Sequence, residues 1–397
     1  PTDSQTAVPN RTETEPTGDE YAKIMEPHDR GSILVSAVFE AFIIIYKSRV
    51  KDLLRLATGG TGILPQGELH PDLVNRLAIE ASKAAGHVLN MCIRALDYCP
   101  PVDITFGDYL RAIITADADL VTNDSRDYRL AFIEAFRRRG IYPQGIKTFS
   151  VESLGLKPGN FVSQSTKDLF KIIVRFLREY RNKVIYETNR KKIYDISKEY
   201  IAGSFYKGES KILGLHSRIF LKFDDSVEFE QLTGLVFNYN WSNLGIKTSN
   251  KYKGGELGPS FQIQNLRLVS RVGPEGNQVN QIVFALVQRS GVIVEQGQFN
   301  GHFVPDTTER PKSQFDLYGG CTMIFDLDTL ELKYVISKPL LDMAALKTGI
   351  HQIDKERAEQ QYRYQQEDGL MYLSEYSLYF GNGIINNFNE PFSFLHH

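Results

Sequence analysis

The chain has 397 residues, of which 42% are hydrophobic and 24% are charged, and its formal net charge at pH 7 is −2. This composition is typical of a globular protein with two or three domains, and the near-neutral charge gives no general attraction to nucleic acid or to an anionic membrane. The three cysteines, Cys92, Cys99 and Cys321, form no Cys-x-x-Cys pair. That spacing favours reduced thiols in a cytoplasm over a secreted disulfide framework.

The first part of the chain changes from polar to strongly apolar. Residues 1–20 contain three prolines and no apolar period, so we expect a disordered leader there. The stretch from Gly31 to Arg49 is apolar nearly all round, which is typical of a helix surrounded by protein. Its most apolar part, residues 33–45, is too short to span a membrane and contains Glu40. A buried core helix is therefore predicted.

A glycine-rich loop, residues 59–71, separates this helix from the next one. The loop lacks the Lys-Ser/Thr pair of a phosphate-binding loop, so a plain connection is favoured. His70 is interpreted as a helix-entry residue and Pro71 as the first residue of a helix that reaches about residue 98. His87, within that helix, is interpreted as a packed helix residue.

Two further helices complete this region. Thr105 and Asp108 have the spacing of a capping box, which predicts a helix start. A last helix, near residues 125–139, is predicted to end at Gly140. We therefore predict that residues 21–145 form an all-α bundle domain.

A connector and basic helices are predicted over residues 146–205. Between residues 166 and 201 there are ten Lys or Arg against five Asp or Glu. These cations could bind nucleic acid or an acidic partner, or they could form a solvated helix face. The aromatic positions indicate an apolar face beside a solvated one, which disfavours nucleic acid; these positions are Phe170, Phe176, Tyr180 and Tyr186.

Residues 206–397 are predicted to form a mixed α+β domain with antiparallel strands and a charged helix near 352–367. The chain is thus expected to have a multidomain α+β fold. The predicted hairpins join residues 261–272 to 281–289 and residues 322–325 to 330–336.

The residues with the clearest chemical potential precede the apolar helix, in the sequence Glu26-Pro27-His28-Asp29-Arg30-Gly31-Ser32-Ile33-Leu34. An imidazole held at the mouth of a buried helix could donate a hydrogen bond to a developing oxyanion. Glu26 or Asp29 could orient the ring. The alternative is that His28 only caps or packs against the helix.

This stretch resembles the thermolysin-like gluzincin peptidases, in which a late histidine before a buried helix hydrogen-bonds the tetrahedral intermediate. His28, the small pair Gly31-Ser32 and the aliphatic pair Ile33-Leu34 match that pattern, with the small pair in swapped order. The resemblance covers about residues 21–143 and is most similar to bacterial proteins with a gluzincin core and an added C-terminal region. Its later landmarks occur in the family's order: Arg94-Ala95-Leu96, Pro100 to Thr105, Tyr109 to Ala118, and Ala135-Phe136 before Gly140.

The resemblance implies a helical domain like the thermolysin C-terminal domain and a zinc-dependent peptide hydrolase. It assigns His28 to transition-state stabilisation, with Glu26 and Asp29 beside it, and one wall of the substrate cleft to this chain. Lys23 falls near the place where the family has an orienting aspartate, so Glu26 is taken as the substitute.

The family's zinc ligands are two histidines of an HExxH helix and a downstream glutamate, whereas none of the eight histidines here is followed by Glu. Zinc is therefore expected in the complete parent and not in this chain alone. The implied partners are an upstream segment carrying HExxH, from the same gene or a cleaved partner chain, and a peptide or protein substrate. The alternatives are a non-catalytic interaction module, an inactive peptidase relic, and a nucleic-acid-associated factor.

Overall fold

A computed structural model describes residues 16–24, 27–63, 69–202, 204–206, 209–212, 214–220, 222–223, 226–238, 241–249, 258–273, 276–302 and 313–367. These residues form two compact units. The first comprises Pro1–Leu96 and Thr105–Gly155, and the second comprises Asp97–Ile104 and Leu156–His397. The predicted multidomain α+β fold is confirmed.

The first unit is helical. A single 3₁₀ turn, Leu96–Tyr98, follows its third helix and leads the chain into the second unit. The predicted Pro71 start is confirmed, and Thr105 and Asp108 form both halves of the capping box. The helices are α1 (Glu20–Lys23), α2 (Pro27–Ala57), α3 (Pro71–Ala95), α4 (Phe106–Leu120), α5 (Tyr128–Arg138) and α6 (Val151–Leu154).

One arginine links three helices of the first unit. Arg49 on α2 donates through Nε to Glu80 on α3 at 2.8 Å and through Nη1 to the Tyr128 hydroxyl on α5 at 2.5 Å. Around these bonds, α2 packs on α3 and α5, and α3 packs on α4. The rings of Phe132 and Phe136, both fully buried, lie 6.4 Å apart between centroids. Each such large buried side chain contributes roughly 1.5–3 kcal/mol.

The end of α5 requires a glycine. Gly140 has φ +71°, and its amide donates to the Arg137 carbonyl at 3.0 Å. A Cβ atom at this position would lie 2.0 Å from the Gly18 carbonyl oxygen. Gly140 therefore serves as the helix stop predicted from the sequence and also allows the chain near Gly18 to approach closely.

We predict that Gly140→Ala lowers the opening free energy of α5 amides by about 2–5 kcal/mol, measured by hydrogen exchange. An L-residue in the left-handed region costs about 1–2 kcal/mol, and overpacking costs about 1–3 kcal/mol more. Gly145→Ala is the matched control, since Gly145 has φ +73° but its added Cβ would meet nothing within 4 Å. Gly145→Ala should show only the cost of placing an L-residue in the left-handed region, about 1–2 kcal/mol. Equal losses in the two variants would mean that the contact with Gly18 is unimportant.

The second unit contains an antiparallel sheet and several helices. Its largest sheet has the order β5-β6-β8-β9, and β7 pairs with the end of β6. The strands are β1 (Ser204–Tyr206), β2 (Glu209–Ile212), β3 (Thr248–Ser249), β4 (Gly258–Pro259), β5 (Gln262–Val272), β6 (Gln278–Glu295), β7 (Gln298–Gly301), β8 (Gln314–Asp326) and β9 (Leu332–Lys338). The helices are α7 (Gln164–Val184), α8 (Arg190–Ala202), α9 (Leu215–Phe220), α10 (Val227–Thr233), α11 (Met343–Lys347) and α12 (Lys355–Glu367).

Helix α7 covers one face of the sheet. Its apolar side includes Phe176 and Tyr180, and Phe176 lies 6.2 Å from Phe284 of β6 between ring centroids. The cations of α7 are mainly on the other side, where Lys167 and Arg175 are exposed. The expected division into an apolar and a solvated face is therefore present on α7. Tyr186 is an exception among the four aromatic positions, because it follows the helix end in a turn and is 92% exposed.

The segment Asp97–Ile104 is anchored within the second unit. Asp97 is buried and forms ion pairs with Arg267 and Arg271 of β5. The buried Tyr98 hydroxyl accepts a hydrogen bond from the Gln281 amide at 2.8 Å. These polar contacts join residues far apart in the chain, so no local sequence pattern indicates them.

None of the helices in the described part of the chain is long and apolar enough to cross a membrane.

Candidate functional site

The predicted site lies at the start of α2. His28 is the second residue of this 31-residue helix, so its backbone is in the first turn and not before the helix as expected. Asp29 follows it and is exposed. Glu26 and the side chain of His28 lie outside the described residues. A helix N-terminus carries partial positive charge, which stabilises Asp29 and would also favour a nearby oxyanion.

Arg30 holds the chain that precedes α2. Its Nη1 donates to the Ile24 carbonyl at 2.9 Å and to the Tyr21 carbonyl at 3.3 Å, and its guanidinium lies 4.4 Å from the Tyr21 ring centroid. The Tyr21 ring is in turn 5.3 Å from the ring of Phe106 on α4. Arg30 thus fixes the entry into α2, a role that the sequence analysis missed because no local motif indicates it.

The resemblance would place an orienting aspartate at the position of Lys23. Lys23 forms an exposed ion pair with Asp19. Hydrogen bonds from Lys23 and Thr17 lower the pKa of the Asp19 carboxyl. Among the described residues, Asp29 is the carboxylate that is nearest to His28 in sequence.

Helix α2 has an uncovered apolar face, in contrast to the expectation of a helix surrounded by protein. Val35 is 68% exposed and Phe39 is 60% exposed, whereas Ala37 and Ala41 on the other side are fully buried. The ring of Phe42 lies 5.7 Å from Phe39. Spacings of four and three residues place position 28 on this same face; its members are His28, Ser32, Val35, Phe39, Phe42 and Tyr46.

Glu40, which interrupts the apolar sequence, anchors α2 to the bundle. It forms ion pairs with both Arg138 and Arg139, and its side chain is only 16% exposed. Arg137, the first cation of this run, pairs instead with Glu134 on its own helix at 2.8 Å. The three consecutive arginines therefore have partners within the first unit.

We predict that Glu40→Gln lowers the free energy of unfolding of the first unit by about 1–3 kcal/mol, because it leaves two arginines without a counter-charge in a partly buried place. Glu134→Gln is the control, since its ion pair with Arg137 is half exposed and should contribute less than about 1 kcal/mol. Hydrogen exchange of α2 and α5 amides measures both. A loss for Glu134→Gln as large as that for Glu40→Gln would contradict the assigned anchoring role.

The glycine-rich loop lies at the wrong end of α2 for anion binding. Thr58 closes the helix by donating from Oγ1 to the Leu54 carbonyl at 2.8 Å, and it accepts from the Gly62 amide at 3.2 Å. A helix C-terminus carries partial negative charge and repels phosphate. Residues 64–68 of the loop lie outside the described residues.

His70, which caps α3, and His87, which lies within it, both have structural contacts. The Nδ1 atom of His70 accepts from the Asp72 amide at 3.2 Å, so His70 is a helix cap, as predicted. The His87 ring meets the ring of Tyr128 edge-on at 5.6 Å. Partial burial, together with the positive charge of Arg49, lowers the pKa of His87.

In the part of the chain that the structure describes, no group of three or more His, Cys, Asp or Glu could hold a metal ion. His351 lies 3.3 Å from the buried Glu230, but that carboxylate also accepts from the amides of Phe237 and Asn238 at 2.7 and 2.8 Å. Glu230 therefore ties loops of the second unit together. The described residues do not supply a zinc ligand set.

Comparisons with protein-family models, with curated proteins and with solved structures gave no match. The case for a function therefore rests on the residues of this chain. They place a histidine at the positive end of a fixed helix, on the face that continues into exposed apolar side chains.

Proposed function

We propose that this chain is the C-terminal part of a zinc-dependent metallopeptidase, similar to the thermolysin-like gluzincins. In this proposal His28 donates a hydrogen bond to the oxyanion that forms when water adds to a peptide carbonyl. One observation carries the proposal: position 28 opens the same face of α2 that exposes Val35 and Phe39. A donor at the edge of an apolar surface becomes shielded from water when that surface is covered, and such donors contribute strongly to catalysis.

We also propose that a carboxylate at the start of α2 orients the His28 ring. A carboxylate that accepts from one ring nitrogen fixes the tautomer and directs the other nitrogen towards the substrate. Asp29 and Glu26 are the carboxylates nearest to His28 in sequence, and we propose one of them for this role. The hydrogen bonds of Arg30 to Ile24 and Tyr21 keep the helix entry in place while the substrate binds.

When bound in the complete enzyme, zinc would supply the activation of the attacking water. Because the described residues do not supply a ligand set, we assign the metal to a segment carrying HExxH, encoded in the same gene or in a separate partner chain. That segment is also the proposed cover of Val35 and Phe39, and the two parts together form the peptide-binding cleft. The three cysteines form no disulfide bond in the described part of the chain, and we include a cytoplasmic location in this proposal.

The central prediction concerns turnover. In the complete peptidase, His28→Ala should lower kcat by about a hundred- to a thousand-fold while changing KM much less, because the lost hydrogen bond forms in the transition state. Zinc content, measured by elemental analysis, should stay at the wild-type value. Peptide hydrolysis is followed under single-turnover and steady-state conditions.

His70→Ala provides the matched control, since His70 caps a helix of the same unit and should affect stability without affecting turnover. Loss of zinc in His28→Ala would show that His28 is a ligand, and full activity would show that it is only a helix-entry residue. An assembled protein that contains no HExxH segment would favour the alternative, a non-catalytic interaction module.

The uncovered face gives a second prediction. Phe39→Asp should change the free energy of unfolding of this chain alone by less than about 0.5 kcal/mol, because the side chain is largely exposed. In the complete peptidase the same change should cost about 3–5 kcal/mol, since Phe39 would then be buried. Leu130→Asp, on an exposed part of α5, is the control. It should change the free energy of unfolding by the same amount in both proteins. Equal effects of Phe39→Asp in the two proteins would refute the proposed cover.

A further inference from the structure

Helix α3 has a second apolar stripe besides its buried face. The buried face contains Ala84, Val88, Met91 and Ala95. The stripe is exposed along its length: Leu89 is 59% exposed and Ile93 is 56% exposed. Its members follow one another at spacings of four, four and three residues and include no charged side chain: Val74, Ala78, Ser82, Ala85, Leu89, Ile93 and Leu96.

A glycine that the unit itself does not require lies beside the middle of this stripe. Gly86 is exposed within the helix, and a Cβ atom there would meet nothing within 4 Å. Glycine in a helix interior is about 1 kcal/mol less favourable than alanine. A glycine at an open position permits another backbone to approach closely there. This observation is independent of the exposed apolar side chains and indicates a partner helix.

The order of side-chain sizes identifies the partner. When the stripe is laid against a reversed copy of itself, with the twofold axis between Ala85 and Gly86, the two large side chains nearest the crossing each face a small one. Leu89 then lies opposite Ser82, and Ile93 lies opposite Ala78. At the crossing, Ala85 faces Gly86, so the two backbones can approach.

We propose that α3 pairs in antiparallel orientation with α3 of a second copy of this chain. Such an interface is closed and twofold, the commonest arrangement in homo-oligomers. The repeat of eleven residues in three turns nearly matches the 3.6 residues per turn of an α-helix, so the stripe stays on one side of the helix over roughly 33 Å. The exposed charges of α3, among them Arg76 and Lys83, lie off the stripe, so an oppositely charged partner is not favoured there.

Sedimentation equilibrium of the full chain tests the pairing. The wild-type chain should sediment at twice the monomer mass at micromolar concentration. Gly86→Leu should sediment as a monomer, because the side chain blocks the crossing, and its helix should be at least as stable because the position is open. Arg76→Leu, on another side of the same helix, should remain dimeric.

A size swap tests the register. Ala78→Ile and Ile93→Ala should each weaken dimerisation at least about tenfold, whereas the double variant should return to within about threefold of the wild type, because the two positions face each other across the interface. A wild-type chain that stays monomeric, or a double variant weaker than either single one, would overturn the proposal. Circular dichroism confirms the fold of each variant, and the result does not depend on peptidase activity.

Discussion

Helix α2 carries more apolar surface than its own unit covers, and the properties of the proposed site follow from that constraint. One side of the helix is buried with Ala37 and Ala41, where small side chains let α3 and α5 pack closely. Glu40 is held by Arg138 and Arg139, so the helix cannot rotate without breaking a partly buried ion-pair group. The side with Val35 and Phe39 is thereby fixed towards the outside, together with position 28.

Local hydrogen-bond chemistry explains why the helical part could be predicted well. Helix ends depend on a few neighbouring residues, so Pro71, Gly140 and the capping box of Thr105 and Asp108 identify their positions without knowledge of the fold. The start of α2 was predicted slightly too late, because Pro27 opens the helix before His28. Even so, the sequence located the candidate histidine at the helix entry, which is the main geometric premise of the proposed function.

Features that depend on distant residues could not be predicted in the same way. Strand β6 is twice as long as the expected run, because buried polar residues interrupt the apolar pattern; Gln288, for example, bonds both to the amide and to the carbonyl of Val236, at 2.7 and 3.0 Å. The pairing of Asp97 with Arg267 and Arg271 spans about 170 positions and leaves no local signal. Likewise, the exposure of Val35 and Phe39 depends on which helices happen to surround α2, and composition alone does not reveal it.

The path of the chain has a practical consequence for dividing this protein. The chain leaves the helical unit after Leu96, contributes Asp97–Ile104 to the second unit, and returns at Thr105. A recombinant piece that ends near residue 155 would therefore keep a buried aspartate, Asp97, but lose both arginines that neutralise it. The complementary piece would expose those arginines and leave Gln281 without Tyr98. Neither piece is a natural folding unit, so expression of the two together, or a circular permutation that keeps residues 97–104 with the sheet, is the sound way to separate them.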